Sequence, residues 1–212
     1  MRSDEPLIPK HGGYRKLKSF QVAQLVYDIT ARFCERFVAG KSRTRDQMVQ
    51  AARSGTQNIA EGSQASGTSK KTELKLTNVA RASLEELRLD YEDFLRQRGL
   101  PLFPPDHPAL QRFKKKRCAT VEDVRLWAED EQRRTRTNKD EKGKAGASSV
   151  SVRGSRVSSV GSSTLVANAA LSLLNLCCYL LDRQLVAQAQ AFEKEGGFTE
   201  RLYRIRNQRR RS

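Results

Sequence analysis

Residues 62–70, with the sequence GSQASGTSK, nearly match the glycine-rich loop that binds phosphate in P-loop proteins. Thr68 occupies the position of the lysine that must reach the β and γ phosphates, and the segment follows a predicted helix, whereas a P-loop follows a strand. We therefore predict an ordinary connection between two helices here. The free amides at the start of the next helix are still able to bind a phosphate, and Lys70 and Lys71 stand beside them.

The end of the chain carries a second set of phosphate-binding candidates. The last twelve residues contain no acidic residue and six arginines: Arg201, Arg204, Arg206, Arg209, Arg210 and Arg211. Arginine pairs its planar guanidinium with two phosphate oxygens at once, so such an arm is typical of a nucleic-acid contact. A frayed, solvated terminus is the alternative. Leu202, Tyr203 and Ile205 lie between the arginines, and we expect one helical turn in which Leu202 and Ile205 anchor the arm.

Catalytic and metal-binding chemistry has few candidate residues. His11 and His107 are the only histidines, and neither shares a predicted helical face with a second metal ligand. A Ser–His–Asp or Cys–His site would have to use one of these two loop histidines. The carboxylates clustered over residues 85–93 lie among arginines and are interpreted as solvated surface charges. We therefore expect a protein that is not an enzyme and has no catalytic residue, metal or cofactor.

The pentapeptide NIAEG at residues 58–62 is the most distinctive short motif. We expect Gly62 to cap the second helix. Glu61 stands near a helix end where the helix dipole favours cations, and Asn58 is polar, so both indicate bonds to a neighbouring helix or subunit. Asn58, Glu61 and Gly62 are therefore interpreted as a structural motif.

The elements that position these residues are predicted to be amphipathic helices. In the first of them, apolar residues recur at steps of three and four: Val22, Val26, Ile29, Phe33 and Phe37. This is the helical period, and the apolar stripe needs partners to bury it. The same pattern predicts four long helices, over residues 19–38, 43–61, 69–98 and 164–194. The predicted fold is all-α, an antiparallel four-helix bundle.

The predicted organisation has four parts: an N-terminal segment at 1–18, three helices at 19–98, an insertion at 99–163, and a fourth helix with a basic C-terminal suffix at 164–212. The insertion begins with four of the six prolines, between residues 100 and 108. A short helix is predicted from about 120 to 135, and the stretch from 138 to 163, rich in Gly, Ser and Lys, is predicted to be flexible.

The chain is strongly basic, with a formal net charge of +16 and a pI of about 10.1. Charge of this size favours polyanions, most often nucleic acid and less often an acidic membrane surface. No hydrophobic run opens the sequence, so no signal peptide is predicted, and the four cysteines are expected to be reduced in the cytoplasm. A polar stripe along residues 165–182 argues against a membrane span there.

Several motifs resemble one bacterial four-helix-bundle family. It includes proteins encoded by intervening sequences in large-subunit ribosomal RNA genes, and the accessory variability determinant of diversity-generating retroelements. The main matches are QAARS at 50–54, NIAEG at 58–62 and NVARASLEEL at 78–87. Matches to a subgroup with a C-terminal suffix domain are GGYRKLKSF at 12–20, YEDFLRQRGLP at 91–101, YLLDRQL at 179–185 and GGFTERLY at 196–203. The long insertion before the fourth helix departs from the family pattern.

The resemblance implies an antiparallel bundle, assembly into a ring that is commonly a homopentamer, no known catalysis, and a basic surface that binds nucleic acid. With the net charge, it favours a non-enzymatic, oligomeric scaffold that binds RNA or DNA through phosphate contacts. The alternative is a protein–protein adaptor that docks a partner enzyme, such as a reverse transcriptase or nuclease encoded nearby.

Overall fold

The computed structural model describes residues 6–38, 40, 42–145 and 161–211. Over these ranges the chain contains α-helices, one 3-10 turn at Tyr14–Lys16, and no strand, so the predicted all-α class is confirmed. The helices are α1 Lys18–Phe37, α2 Arg43–Ala65, α3 Lys70–Gln97, α4 Pro108–Lys116, α5 Val121–Ala145, α6 Ser162–Glu195 and α7 Phe198–Arg211.

The second helix is longer than predicted. α2 continues past Glu61 to Ala65, and Gly62 lies buried inside it. The prediction that Gly62 caps the helix is therefore wrong. A Cβ at Gly62 would lie 3.3 Å from the carbonyl oxygen of Glu73 and from Leu76 Cβ, so the glycine permits a close approach of α2 and α3.

Two helices occupy the region for which the sequence predicts a break, one short helix and a flexible stretch. α4 starts with Pro108 in its first turn, where proline fits without losing a hydrogen bond, and α5 follows after a four-residue connection. Phe113 of α4 packs on Trp127 of α5, with ring centroids 4.8 Å apart. Arg112 of α4 forms two hydrogen bonds of 2.6 Å to the buried carboxylate of Glu131. Residues 99–137 therefore contribute to the core.

The predicted flexible stretch at 138–163 is only partly described. α5 extends to Ala145, so residues 138–145 are helical, where the sequence predicts a stretch without regular structure. The helix continues because the sequence DEKGKA holds one glycine and no proline. Residues 146–160, the rest of that prediction apart from the start of α6, lie outside the described residues.

The core is made by four long helices that contact one another in pairs. α1 packs against α2 and α6, and α3 packs against α2 and α6. Fully buried side chains from all four meet between them: Ile29, Phe33, Met48, Ile59, Leu84, Leu87, Tyr91, Leu174 and Leu181. α4 and α5 pack on α6, and α5 also contacts α1.

The proline-rich segment is attached to α6 by a buried asparagine. Asn168 accepts a hydrogen bond of 2.7 Å from the Phe103 N–H and donates to the Pro101 carbonyl at 3.0 Å. Its amide also donates to the Thr164 carbonyl of its own helix, at 2.9 Å. The polar groups of this buried corner are thereby satisfied, which fixes the path of the chain into α4.

Among the described residues, one helical stretch, within residues 162–210, is long and apolar enough to span a membrane by length and composition. Most of its apolar window is buried inside the protein. The core helix of a soluble protein meets the same test, so this property alone is weak evidence for a span.

Candidate functional site

The basic arm predicted at the end of the chain is a helix of 14 residues, α7, where the sequence predicts a single turn. Ile205 is buried and Leu202 is half-buried, so the arm packs on the rest of the chain through an apolar side. Arg204, Arg206 and Arg209 are exposed. The arginines therefore lie along an ordered helix with an apolar anchor.

A double-glycine turn joins α6 to α7. Gly196 has φ of 72°, a conformation that side chains rarely adopt, and its N–H donates to the Phe192 carbonyl at 2.9 Å. The Gly197 N–H donates to Glu200 Oε2 at 2.9 Å, which caps the start of α7. The turn ends α6 sharply and brings the first turns of α7 beside the start of α3.

The start of α3 supplies free amides. Ser69 is the N-cap, and its hydroxyl accepts a hydrogen bond of 3.1 Å from the Thr72 N–H. The amides of Lys70 and Lys71 in the first turn have no intrahelical acceptor, because the first N–H groups of a helix precede its hydrogen-bond ladder. The positive end of the helix dipole adds to their attraction for an anion.

A cavity of about 90 Å³ lies between these elements. It is lined by Pro9, by the α2–α3 connection from Ser66 to Lys70, by the α6–α7 turn, and by Arg201 and Arg204. A space of this size holds more than one water molecule, because a single water needs about 10–15 Å³ in the same measure. The structure thus brings Lys70, Arg201 and Arg204 together, although up to 134 positions separate them in sequence.

The cavity is basic but not uniformly so. Glu195 also lines it, so the lining contains one acidic residue beside the three basic ones. The N-terminal segment closes one side, because the Gly12 N–H donates to the Ser63 carbonyl at 3.0 Å and His11 lies against Gly67. We call this the α3–α7 cavity.

The other predicted site residues lie apart from the cavity. Lys71 is exposed on α3 and does not line it. Arg206, Arg209 and Arg210 are exposed along α7, beyond the lining residues. The Arg211 backbone ends α7, and its side chain lies outside the part of the chain that the structure describes.

The predicted structural motif is located on α2. Asn58 is half-buried and donates to the Ser54 carbonyl at 2.8 Å and to Ser54 Oγ at 3.1 Å, within its own helix. Ser54 Oγ in turn lies 3.2 Å from Ser83 Oγ of α3. Glu61 is exposed and has no ion pair within the described residues.

Sequence reasoning missed a second basic surface. Lys114, Lys115, Lys116 and Arg117 are consecutive and exposed at the end of α4. The run of four cations was a visible signal, but it falls in the predicted insertion, between the proline-rich break and the predicted short helix.

The buried cysteines are not poised for nucleophilic chemistry. Burial raises the pKa of the Cys34 thiol to about 11 and that of Cys178 to about 12. Burial also raises the pKa of Cys177 strongly. A thiol protonated at neutral pH is a weak nucleophile and a weak metal ligand. Within the described ranges, no group of three or more His, Cys, Asp and Glu side chains is placed to hold a metal ion.

No protein-family model, curated protein or solved structure matches the chain. The resemblance noted from the motifs stays a prediction.

Proposed function

We propose that this protein is a non-enzymatic, oligomeric, basic scaffold that binds RNA or DNA through phosphate contacts. The observation that carries the proposal is the meeting of Lys70, Arg201 and Arg204 at the start of α3. A backbone phosphate in the α3–α7 cavity would accept hydrogen bonds from the first amides of α3 and pair with the surrounding cations.

The exposed arginines of α7 extend this contact along a strand. A helix of 14 residues is about 21 Å long, which equals the rise of about six nucleotides of one duplex strand. Arg206, Arg209 and Arg210 are exposed in the C-terminal half of this helix. Because such contacts go to phosphates and not to base edges, binding is expected to be independent of sequence.

The scaffold in this proposal is an antiparallel four-helix bundle of α1, α2, α3 and α6. Two contacts in each of two helix pairs support the direction of packing. In the α1–α2 pair, Cys34 Sγ lies 3.8 Å from Met48 Sδ, while Thr56 Oγ1 donates to the Ala23 carbonyl at 3.2 Å. In the α3–α6 pair, Arg81 binds Asp182, and the Gln188 amide donates to Glu73 at 3.1 Å.

We propose that the protein is cytoplasmic and assembles into a homo-oligomeric ring, which is commonly a pentamer in the family that the motifs resemble. Light scattering measures the number of subunits. Tyr179 and Val186 are exposed on α6 seven residues apart, so they share one helical face. Such a stripe supports a protein contact. It equally favours the alternative function, an adaptor that docks a partner enzyme such as a reverse transcriptase.

Gel-shift titrations with a duplex and a structured RNA, from about 50 to 200 mM salt, test the proposal. Affinity is expected to fall steeply with salt and to differ little between sequences. Lys70→Gln with Arg204→Gln should weaken binding more than Arg43→Gln with Arg53→Gln, which removes two exposed cations of α2. The absence of any shift at the lowest salt would reject nucleic-acid binding and leave the adaptor.

A further inference from the structure

A cavity of about 650 Å³ lies between α1, α4 and α6, away from the α3–α7 cavity. Its apolar lining comes mainly from Val22, Leu25, Phe113, Leu173 and Leu176. Pockets that take small molecules fall in this size range and are mostly apolar, with a few polar groups that orient the ligand. The two cavities share no lining residue.

All charged residues that line this cavity are cations. They are Lys18 of α1, Lys114 of α4 and Arg117, which follows α4. A second apolar groove, between α1 and α5, is different, since Arg36 and Arg125 stand there beside Glu35 and Glu129. The α1–α4–α6 cavity therefore differs from the α1–α5 groove in having only positive charge, and it is expected to attract anions.

The three cations keep their charge uncompensated. The Lys114 ammonium donates to the Pro105 carbonyl at 2.9 Å, and that of Lys18 donates to Gln21 Oε1 at 3.0 Å, both neutral acceptors. Across the described residues, none of Lys18, Lys114 and Arg117 takes part in an ion pair. An anion at the cavity would therefore meet charges that no carboxylate already satisfies.

Arg117 adopts a backbone conformation that is unfavourable for a residue with a side chain. It has φ of 51° and ψ of 49°, and it is the one residue other than glycine with positive φ in the described ranges. Glycine is the usual residue in this left-handed position after a helix. Here an arginine occupies the position, and it is one of the residues that line the cavity.

We propose that the α1–α4–α6 cavity binds an amphiphilic anion, a molecule with an apolar body and one carboxylate, sulfate or phosphate head. The apolar body lies over Leu25, Phe113 and Leu173, and the head pairs with the three cations. A nucleic-acid phosphate alone makes no use of the apolar lining, and an apolar cation is repelled. The site does not depend on the proposed nucleic-acid function.

Calorimetric titration of the full chain with decanoate, kept below its micelle concentration, tests this site. Saturable binding of one decanoate per chain is expected. Acetate lacks the apolar body, and decyltrimethylammonium has the opposite head charge, so neither should compete. Absence of saturable decanoate binding, or equal binding of decyltrimethylammonium, overturns the proposal. Binding only to vesicles of anionic phospholipid also overturns it, because it indicates a membrane surface contact.

Three variants locate the bound decanoate. Lys114→Gln should weaken it about tenfold, the effect of one lost charge-assisted hydrogen bond. Leu176→Asn, at an exposed edge of the lining, should also weaken it. Arg117→Gly should weaken binding while the melting temperature stays equal or rises, because glycine relieves the strained backbone.

Arg53→Gln serves as the control, because it removes one positive charge from α2, away from the cavity. Unchanged affinity for decanoate in the three variants overturns the assignment.

Discussion

Gly55 of α2 lies directly against Leu84 of α3, and a Cβ added to the glycine would come within 2.6 Å of Leu84 Cγ and Cδ2. Leu84 is fully buried and has little space to move. Overpacking of this kind costs about 1–3 kcal/mol, whereas alanine in place of glycine returns about 1 kcal/mol of helix propensity. Gly55→Ala is therefore expected to lower the free energy of unfolding by about 1 kcal/mol.

Urea denaturation measures that change. Gly13→Ala is a suitable control, since a Cβ there meets no atom within 4 Å. An unchanged or increased free energy of unfolding for Gly55→Ala would show that α2 and α3 are not so closely packed.

The four long helices were predictable because each repeats an apolar stripe with the helical period over five turns or more. α4 was not predictable, because it is only nine residues long and follows a proline-rich segment. Only three of its residues are buried, Ala109, Leu110 and Phe113, which is too few to show a helical period. The end of α2 was misplaced for a different reason. A glycine such as Gly62 usually indicates the end of a helix, but here it lies inside α2 because α3 approaches closely at that point. That approach depends on tertiary packing and cannot be recognised from the local sequence.

The candidate site was predictable by residue type and not by arrangement. Lys70, Arg201 and Arg204 are recognisable as phosphate ligands from their chemistry and their positions near a helix start or in a basic arm. Their meeting depends on the direction that the turn at Gly196 and Gly197 gives to α7 and on where the predicted anchor Ile205 packs. The sequence pattern predicts the turn and the anchor but not the helix that they bring α7 beside.

Asn168 is expected to be essential for the attachment of residues 100–103 to α6. Asn168→Ala removes three hydrogen bonds and leaves the Phe103 N–H buried without an acceptor. The free energy of unfolding should fall by about 2–3 kcal/mol, the cost of buried polar groups left unpaired. Denaturant titration measures this change in the free energy of unfolding.

The control is Asn175→Ala, at an exposed position of the same helix, and it should change stability little. Equal stability of the two variants would contradict the role of Asn168.

Asp90 is expected to make stability depend on pH. Burial raises the pKa of its carboxyl, the neighbouring carboxylates of Glu86 and Asp93 raise it further, and Oδ2 lacks a hydrogen-bond partner among the described residues. Because the folded-state pKa lies above the ordinary value of 3.8, stability is lost as pH rises from that value through the folded-state pKa.

Asp90→Asn removes this penalty. The variant should be more stable than the unmodified protein at pH 7, by less than about 1 kcal/mol, because the half-exposed site is screened by water. The gain should vanish near pH 3, where both forms are neutral in the folded state. Thermal unfolding across that range measures the effect, and Asp106→Asn, at an exposed position, is the control. A gain that persists at low pH would show that ionisation is not its cause.

Arg209 and Arg210 are expected to contact phosphates without supporting the fold. Both are exposed near the end of α7, beyond the buried anchor Ile205. Arg209→Gln with Arg210→Gln should weaken binding to all nucleic-acid sequences alike and reduce the slope of log affinity against log salt by up to about two, because each lost phosphate contact removes about one counterion. The melting temperature should hardly change.

Gel shifts at several salt concentrations measure the slope of log affinity against log salt. The double variant Arg43→Gln with Arg53→Gln is the control for the change in net charge. If the two double variants give the same slope as the unmodified protein, the end of α7 is a solubilising terminus.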